Sequence, residues 1–306
     1  MGLTYVYHKS IATFFRAIVR PMLEVDPKPD EVISIPSRDT DRVIKAHIYK
    51  PAKEEHKAPR PVLINFCGSG YILPAFGADD EYCRFIADKT GFTVIDVQYR
   101  LAPEDPFPAA VNDAEDAVAW VQSMPDQFDV EQISLSGFSA GANIALALSC
   151  TYSSRPRRNQ DDNVFRTVIS FYGCVDMSVP TTKKTVADRS NFVMRSLFPV
   201  FSHLCHKCLG FSAADTKNPR LSPMYAEPVA FPDNVLIITA AQCPFTIEAE
   251  ALADKIRNGG AKHVLSKRMD DCTHGWDKEA KEGTPQAEAK HQAYEMSASV
   301  LLDGLK

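Results

Sequence analysis

The sequence predicts an α/β protein, with about eight strands in a mostly parallel sheet, helices on both faces and a helical cap. Three observations carry this. From residue 61 to residue 304, short apolar β-prone runs alternate with helix-length segments, the rhythm of parallel strands joined by crossover helices. Near the middle, Gly137-Phe138-Ser139-Ala140-Gly141 places a serine on a sharp turn between a β-prone run at 130–136 and a helix-prone run at 142–150. Residues 178–226 then break the rhythm with a long, Phe- and Leu-containing piece that exceeds an ordinary crossover loop.

Taken in order, residues 1–25 open with an amphipathic helix. Ile11, Phe14, Phe15, Ile18 and Val19 recur at helical spacing, Lys9, Thr13, Arg16 and Arg20 take the other face, and Pro21 ends it. Such a helix packs on the body, roofs a site or touches a membrane surface. Runs 31–36 and 43–49, joined by the polar turn 37–41, read as a hairpin entering the sheet. Strands follow at 61–66, 92–97, 130–136, 168–172, 235–239 and 264–268, with helices at 79–90, 107–124, 142–150, 246–258 and 287–304. The core is therefore 26–177 together with 227–306. The insert 178–226 and the first 25 residues are expected to cap the carboxyl edge of the sheet, where open α/β folds bind ligands.

Composition excludes several classes. With 306 residues and 45% hydrophobic content the chain can bury a large core. A net charge of -5, with Arg155-Pro156-Arg157-Arg158 as the one short basic block, argues against a nucleic-acid partner. No run approaches the roughly 18 apolar residues a spanning helix needs, and the first residues lack a secretory design, so no stable membrane insertion and a cytoplasmic location are expected. The eight irregularly spaced cysteines read as reduced thiols. His203, Cys205, His206 and Cys208 resemble half a zinc site, but on a helix they point to more than one face, so neither metal nor other cofactor is expected.

The chemistry gathers around Ser139, where a strained strand-to-helix turn would expose a nucleophile, although a plain Gly/Ser turn has the same spelling. In the loop after the third strand, Cys67-Gly68-Ser69-Gly70-Tyr71 offers small residues whose N–H groups can turn towards a developing oxyanion beside the N–H of Ala140. A glycine-rich loop can also cradle phosphate, but neither nucleotide fingerprint accompanies it.

Four ordered stretches now resemble one family. Residues 61–71, then 96–104 with 107–110, then the serine turn, and finally Asn218 to Tyr225 with Thr273-His274-Gly275-Trp276, are similar to the hormone-sensitive-lipase-like carboxylesterase branch of the α/β hydrolases. The resemblance implies the α/β-hydrolase fold and a triad in the order Ser, acid, His, with Ser139 as nucleophile and His274 as general base. It implies an oxyanion hole from Gly68, Ser69, Gly70 and Ala140. Catalysis needs such a histidine on a loop at the sheet edge. His8, His47, His56, His263 and His291 read as structural or solvated. The chain departs from the family pattern at Cys67 and Ser69, and above all at Cys243, which stands where the family's aspartate belongs. Glu248, Asp270, Asp271 and Asp277 are candidate substitutes, as is Cys243 itself as a thiolate. The expected function is a serine esterase cleaving a small or medium apolar ester through an acyl-enzyme. The alternative is a relative with an altered triad, a cyclase, dehydratase or ligand-binding pseudo-enzyme acting on a hydrophobic metabolite.

Overall fold

The structure, a computed structural model, describes residues 3–19, 21, 25–52, 59–152, 163–180, 183–184, 198–260 and 263–305. The basic block at 155–158, His56 and the part of the insert from 185 to 197 lie outside these residues.

Eight strands form one sheet: β1 (Glu31–Pro36), β2 (Val43–Tyr49), β3 (Arg60–Phe66), β4 (Thr93–Val97), β5 (Phe128–Phe138), β6 (Phe165–Phe171), β7 (Asn234–Ala240) and β8 (His263–Met269). Their order is β1-β2-β4-β3-β5-β6-β7-β8. β1 pairs antiparallel with β2, and β2 with β4; every other neighbouring pair is parallel. β4 and β7 are buried along their whole lengths, as expected of mostly apolar strands covered on both faces. The exposed residues of β8 mark it as an edge strand.

Among the described residues, eight α-helices accompany the sheet: α1 (Leu3–Val19), α2 (Asp80–Thr90), α3 (Ala109–Gln122), α4 (Ala140–Thr151), α5 (Phe198–Leu209), α6 (Thr246–Asn258), α7 (Trp276–Glu279) and α8 (Pro285–Asp303). α4 is apolar on all sides and is buried from Ala140 to Cys150, so it lies inside the molecule against β3, β5 and β6. Gly91, at φ 79°, closes α2, and Thr284 accepts the Ala287 N–H at the start of α8.

α1 forms where expected but presents a different face. Ala12 is fully covered and Phe15 stacks on Phe201 of α5, with ring centroids 5.1 Å apart, whereas Phe14 and Ile18 are 69% and 55% exposed. Arg16, assigned to the polar face, turns inward. Its guanidinium donates to the carbonyls of Ile72 at 2.6 Å and Ala102 at 2.7 Å and pairs with Glu104 at 2.9 Å. Two loop carbonyls need donors that no apolar side chain can supply, and this requirement sets the rotation of the helix.

Candidate active site

β5 and α4 meet at Ser139, whose φ of 52° and ψ of -112° lie outside the ordinary regions for a residue with a side chain. The turn is held by Ser139 N–H donating to Phe171 O at 2.9 Å and by Asn143 N–H donating to Ser139 O at 3.1 Å. Its glycines are required by space. A Cβ on Gly141 would lie 1.9 Å from the Phe66 carbonyl oxygen, and one on Gly137 2.3 Å from that of Gly141. The turn therefore wedges α4 directly against β3 and leaves the serine side chain projecting.

His274 follows β8, immediately before Gly275 at φ 76°. Its Nε2 is 2.9 Å from Ser139 Oγ. Tyr172, Phe198 and Phe245 surround the imidazole at ring-centroid distances of 4.8, 4.9 and 5.5 Å. Burial among these rings drives its pKa down to about 4, with Asp277 pulling weakly the other way, so the imidazole is neutral at neutral pH and able to take a proton.

Gly68, Ser69 and Gly70 follow β3 on the near side of the serine. Among the described residues, the N–H groups of these three and of Ala140 donate to no protein acceptor. Ser69 pins the loop from behind: its Oγ is 2.7 Å from Tyr99 Oη and accepts the Tyr71 N–H at 2.9 Å, while Tyr99 Oη–H donates to Cys67 O at 2.6 Å.

A family model described as alpha/beta hydrolase fold matches residues 63–278. The chain belongs to the α/β-hydrolase family. An arylesterase of Saccharolobus solfataricus is 26% identical over 77% of this chain and 74% of its own length. A carboxylic ester hydrolase, LipN, of Mycobacterium tuberculosis is 28% identical over 85% of this chain and 69% of its own. Among solved structures, a thermostable carboxylesterase cloned from a metagenomic library matches with TM-score 0.79 at 25% identity, over 96% of this chain and 98% of that one. A hyperthermophilic esterase from Pyrobaculum calidifontis matches with TM-score 0.77 at 26% identity, over 97% and 91%.

In this hydrolase the imidazole's other nitrogen meets sulfur. Cys243, in the loop after β7, puts Sγ 3.2 Å from His274 Nδ1 and accepts the Phe245 N–H at 3.4 Å. Burial pushes this thiol up to about 12, the reverse of what a thiolate requires, so Cys243 is a neutral thiol. None of the candidate substitutes hydrogen-bonds to His274. Glu248 accepts the Val175 N–H at 2.9 Å and pairs with Lys184 at 2.5 Å. Asp277 accepts from Tyr172 Oη at 2.6 Å and pairs with Lys278 at 2.9 Å. Asp270 and Asp271 are exposed.

Sequence reasoning missed a polar network beneath the hydrolase site. Asn65 donates at 2.9 Å to both Asp79 and Asp96, Ser136 Oγ–H donates to Asn65 at 2.8 Å, and Lys278 joins Asp79 at 2.7 Å. Burial, reinforced by the neighbouring Asp79, raises Asp96 to about 7. These residues come from β3, β4, β5 and the α2 and α7 ends, and no local pattern announces a contact between segments so far apart.

Proposed function

We propose that the chain is a serine-dependent carboxylic ester hydrolase. In this reading Ser139 attacks the ester carbonyl while His274 Nε2 takes its proton. The oxygen, as it gains charge, is received by N–H groups of Gly68, Ser69, Gly70 and Ala140, fixed in advance and unspent on other acceptors. The alkoxide leaves with the proton from His274, and water then attacks the acyl-Ser139 ester by the same route. The observation that carries the reading is the 2.9 Å approach of Ser139 Oγ to His274 Nε2 on a strained turn. The names of the relatives support esters as the substrate class.

Cys243 is the third member. A thiol is ambivalent: Sγ accepts from Nδ1–H in the productive tautomer, which leaves the Nε2 lone pair facing Ser139, or it donates S–H to Nδ1, which places a proton on Nε2 and blocks the base. A carboxylate would permit only the first. The site is therefore complete in geometry but weak in holding charge on the imidazolium. No observation favours a cyclase, a dehydratase or a binding-only relative.

α1 and the insert that carries α5 act as the cap over this site, residues 26–177 and 227–306 forming the core beneath. All eight cysteines are buried, and none is paired in a disulfide, which supports a reducing compartment and hence the cytoplasm. Among the described residues no helix is long and apolar enough to cross a membrane.

The test is labelling with a fluorophosphonate together with turnover of p-nitrophenyl acetate. Ser139→Ala should remove both. Labelling that persists in this variant would move the nucleophile elsewhere and sink the assignment.

A further inference from the structure

With Ser139 as nucleophile, chemistry assigns the two halves of a bound ester. His274 Nε2 must return a proton to the departing alkoxide, so the alcohol lies on the His274 side, near Phe198 and Phe245. The carbonyl oxygen faces the N–H groups of the glycine-rich loop. The acyl chain is then directed along the wall formed by Gly70 and Tyr71, which Phe201 and Cys205 crowd from the other side. A Cβ on Gly70 would be only 2.8 Å from Cys205 Sγ and 2.9 Å from Phe201 Cζ.

The cavity touching Ser139 encloses ≈ 50 Å³. This is far below the roughly 300–1,000 Å³ of sites that enclose drug-sized ligands. Among the described residues its walls are apolar apart from Ser139, His274, Ser202, His206 and the Tyr71 hydroxyl, so a short hydrocarbon group suits it and a charged one does not. Phe201 is not free to swing aside. Phe15 of α1 stacks on it at 5.1 Å and an interplanar angle of 24°, and α1 is anchored one residue further along by Arg16 on Ile72 O, Ala102 O and Glu104.

We propose that Phe201 and Cys205 close the acyl subsite at about two or three carbons, and that Phe15 is the positioning residue that holds this stop in place. The chain is then an esterase of acetyl- and propionyl-sized acyl groups, an assignment that rests on the ester-hydrolase reading above.

The experiment uses two serine-directed probes, p-nitrophenyl esters of an ethylphosphonate and of an octylphosphonate. In each, Ser139 Oγ forms a bond to phosphorus, the bond to p-nitrophenolate breaks, and His274 takes the serine proton, leaving the alkyl group where the acyl chain would lie. The rate of p-nitrophenolate release and the mass added at Ser139 are followed. In the wild type the ethyl probe should react about 10-fold faster or more than the octyl probe. Phe201→Ala should bring the two within about 3-fold, chiefly by raising the octyl rate, with Phe201→Leu in between and Phe15→Ala shifting the ratio in the same direction. Equal rates in the wild type, or a faster octyl probe, overturn the acyl stop while leaving Ser139 as nucleophile. A ratio that neither Phe201 variant moves overturns the role of Phe201. Reaction with neither probe overturns the hydrolase reading itself and this assignment with it.

Discussion

The residues proposed for the chemistry, Ser139, His274 and the glycine-rich loop after β3, drew notice in the sequence because they stand in or beside turns where glycine is required by space or backbone angle. Gly141 is the clearest case, since any side chain would enter the Phe66 carbonyl. Cys243 was legible only as a departure; that its thiol meets Nδ1 and stays protonated depends on burial, which no local pattern encodes. This yields a prediction. Cys243→Asp places a carboxylate within reach of the Phe245 N–H and His274 Nδ1, and should raise kcat on p-nitrophenyl acetate by about 10-fold or more, since removing the carboxylate from another triad lowers kcat by about 10⁴-fold. The acid limb of kcat/KM reports the free-enzyme base, so in the wild type it should lie near pH 4, and the new carboxylate should move it upward. Unchanged kcat and an unchanged limb would show that position 243 does not serve the imidazole. Asp96 supports a second expectation at this scale. Its pKa is raised to about 7 in the fold, so between about pH 4 and pH 7 the folded state binds more protons than the unfolded one, and stability falls as pH rises. Thermal melts of Asp96→Asn should lose this decline, an effect on the order of 2–4 kcal/mol across the window. A variant whose Tm follows pH with the wild-type slope would place the proton elsewhere.

Among the elements, strands and helices of the core were legible from period and length, because β7 is buried on both faces and spells that out as the run Val235 to Ile238, and β4 does so with Val94, Ile95 and Val97 around the buried Asp96. α1 was legible as a helix but not in its orientation. Counting Phe14 and Ile18 as the inner face ignores the Ile72 and Ala102 carbonyls, which accept from Arg16. α5 carries the half-zinc spelling, and its buried Cys205 and Cys208, exposed His203 and half-buried His206 against Phe211 fit packing. Among the described residues no group of three or more His, Cys, Asp and Glu side chains converges on a metal position. Since the proposed chemistry uses a serine, an imidazole and backbone donors, prolonged dialysis against a chelator should leave ester turnover within about 20% of the untreated value. One equivalent of zinc by elemental analysis, lost together with activity, would contradict this.

Across the whole molecule, the proposed site hangs from one edge of one sheet: the glycine-rich loop follows β3, Ser139 follows β5, Cys243 follows β7 and His274 follows β8. Those strands are covered by α3, α4, α6 and α8, and are expected to resist opening as a unit. The proposed roof, α1 with α5, is held differently. Only Ala12 is fully covered among the described side chains of α1, and only Cys205, Cys208 and Leu209 are buried in α5. Regions with little buried apolar surface open at lower free energy than a core, so denaturant should loosen the roof before it melts the sheet. Because the roof also supplies Phe201, loosening it has a chemical signature. In a urea titration, the ratio of p-nitrophenyl octanoate to acetate turnover should rise by about 3-fold or more at concentrations where the fluorescence of buried Trp276 still reports a native core. Activity on acetate should persist to the core transition, since Ser139, His274 and the oxyanion loop depend on the sheet. Both activities vanishing at one midpoint with a constant ratio would mean that roof and sheet form a single cooperative unit, and that the acyl stop is as rigid as the nucleophile beneath it.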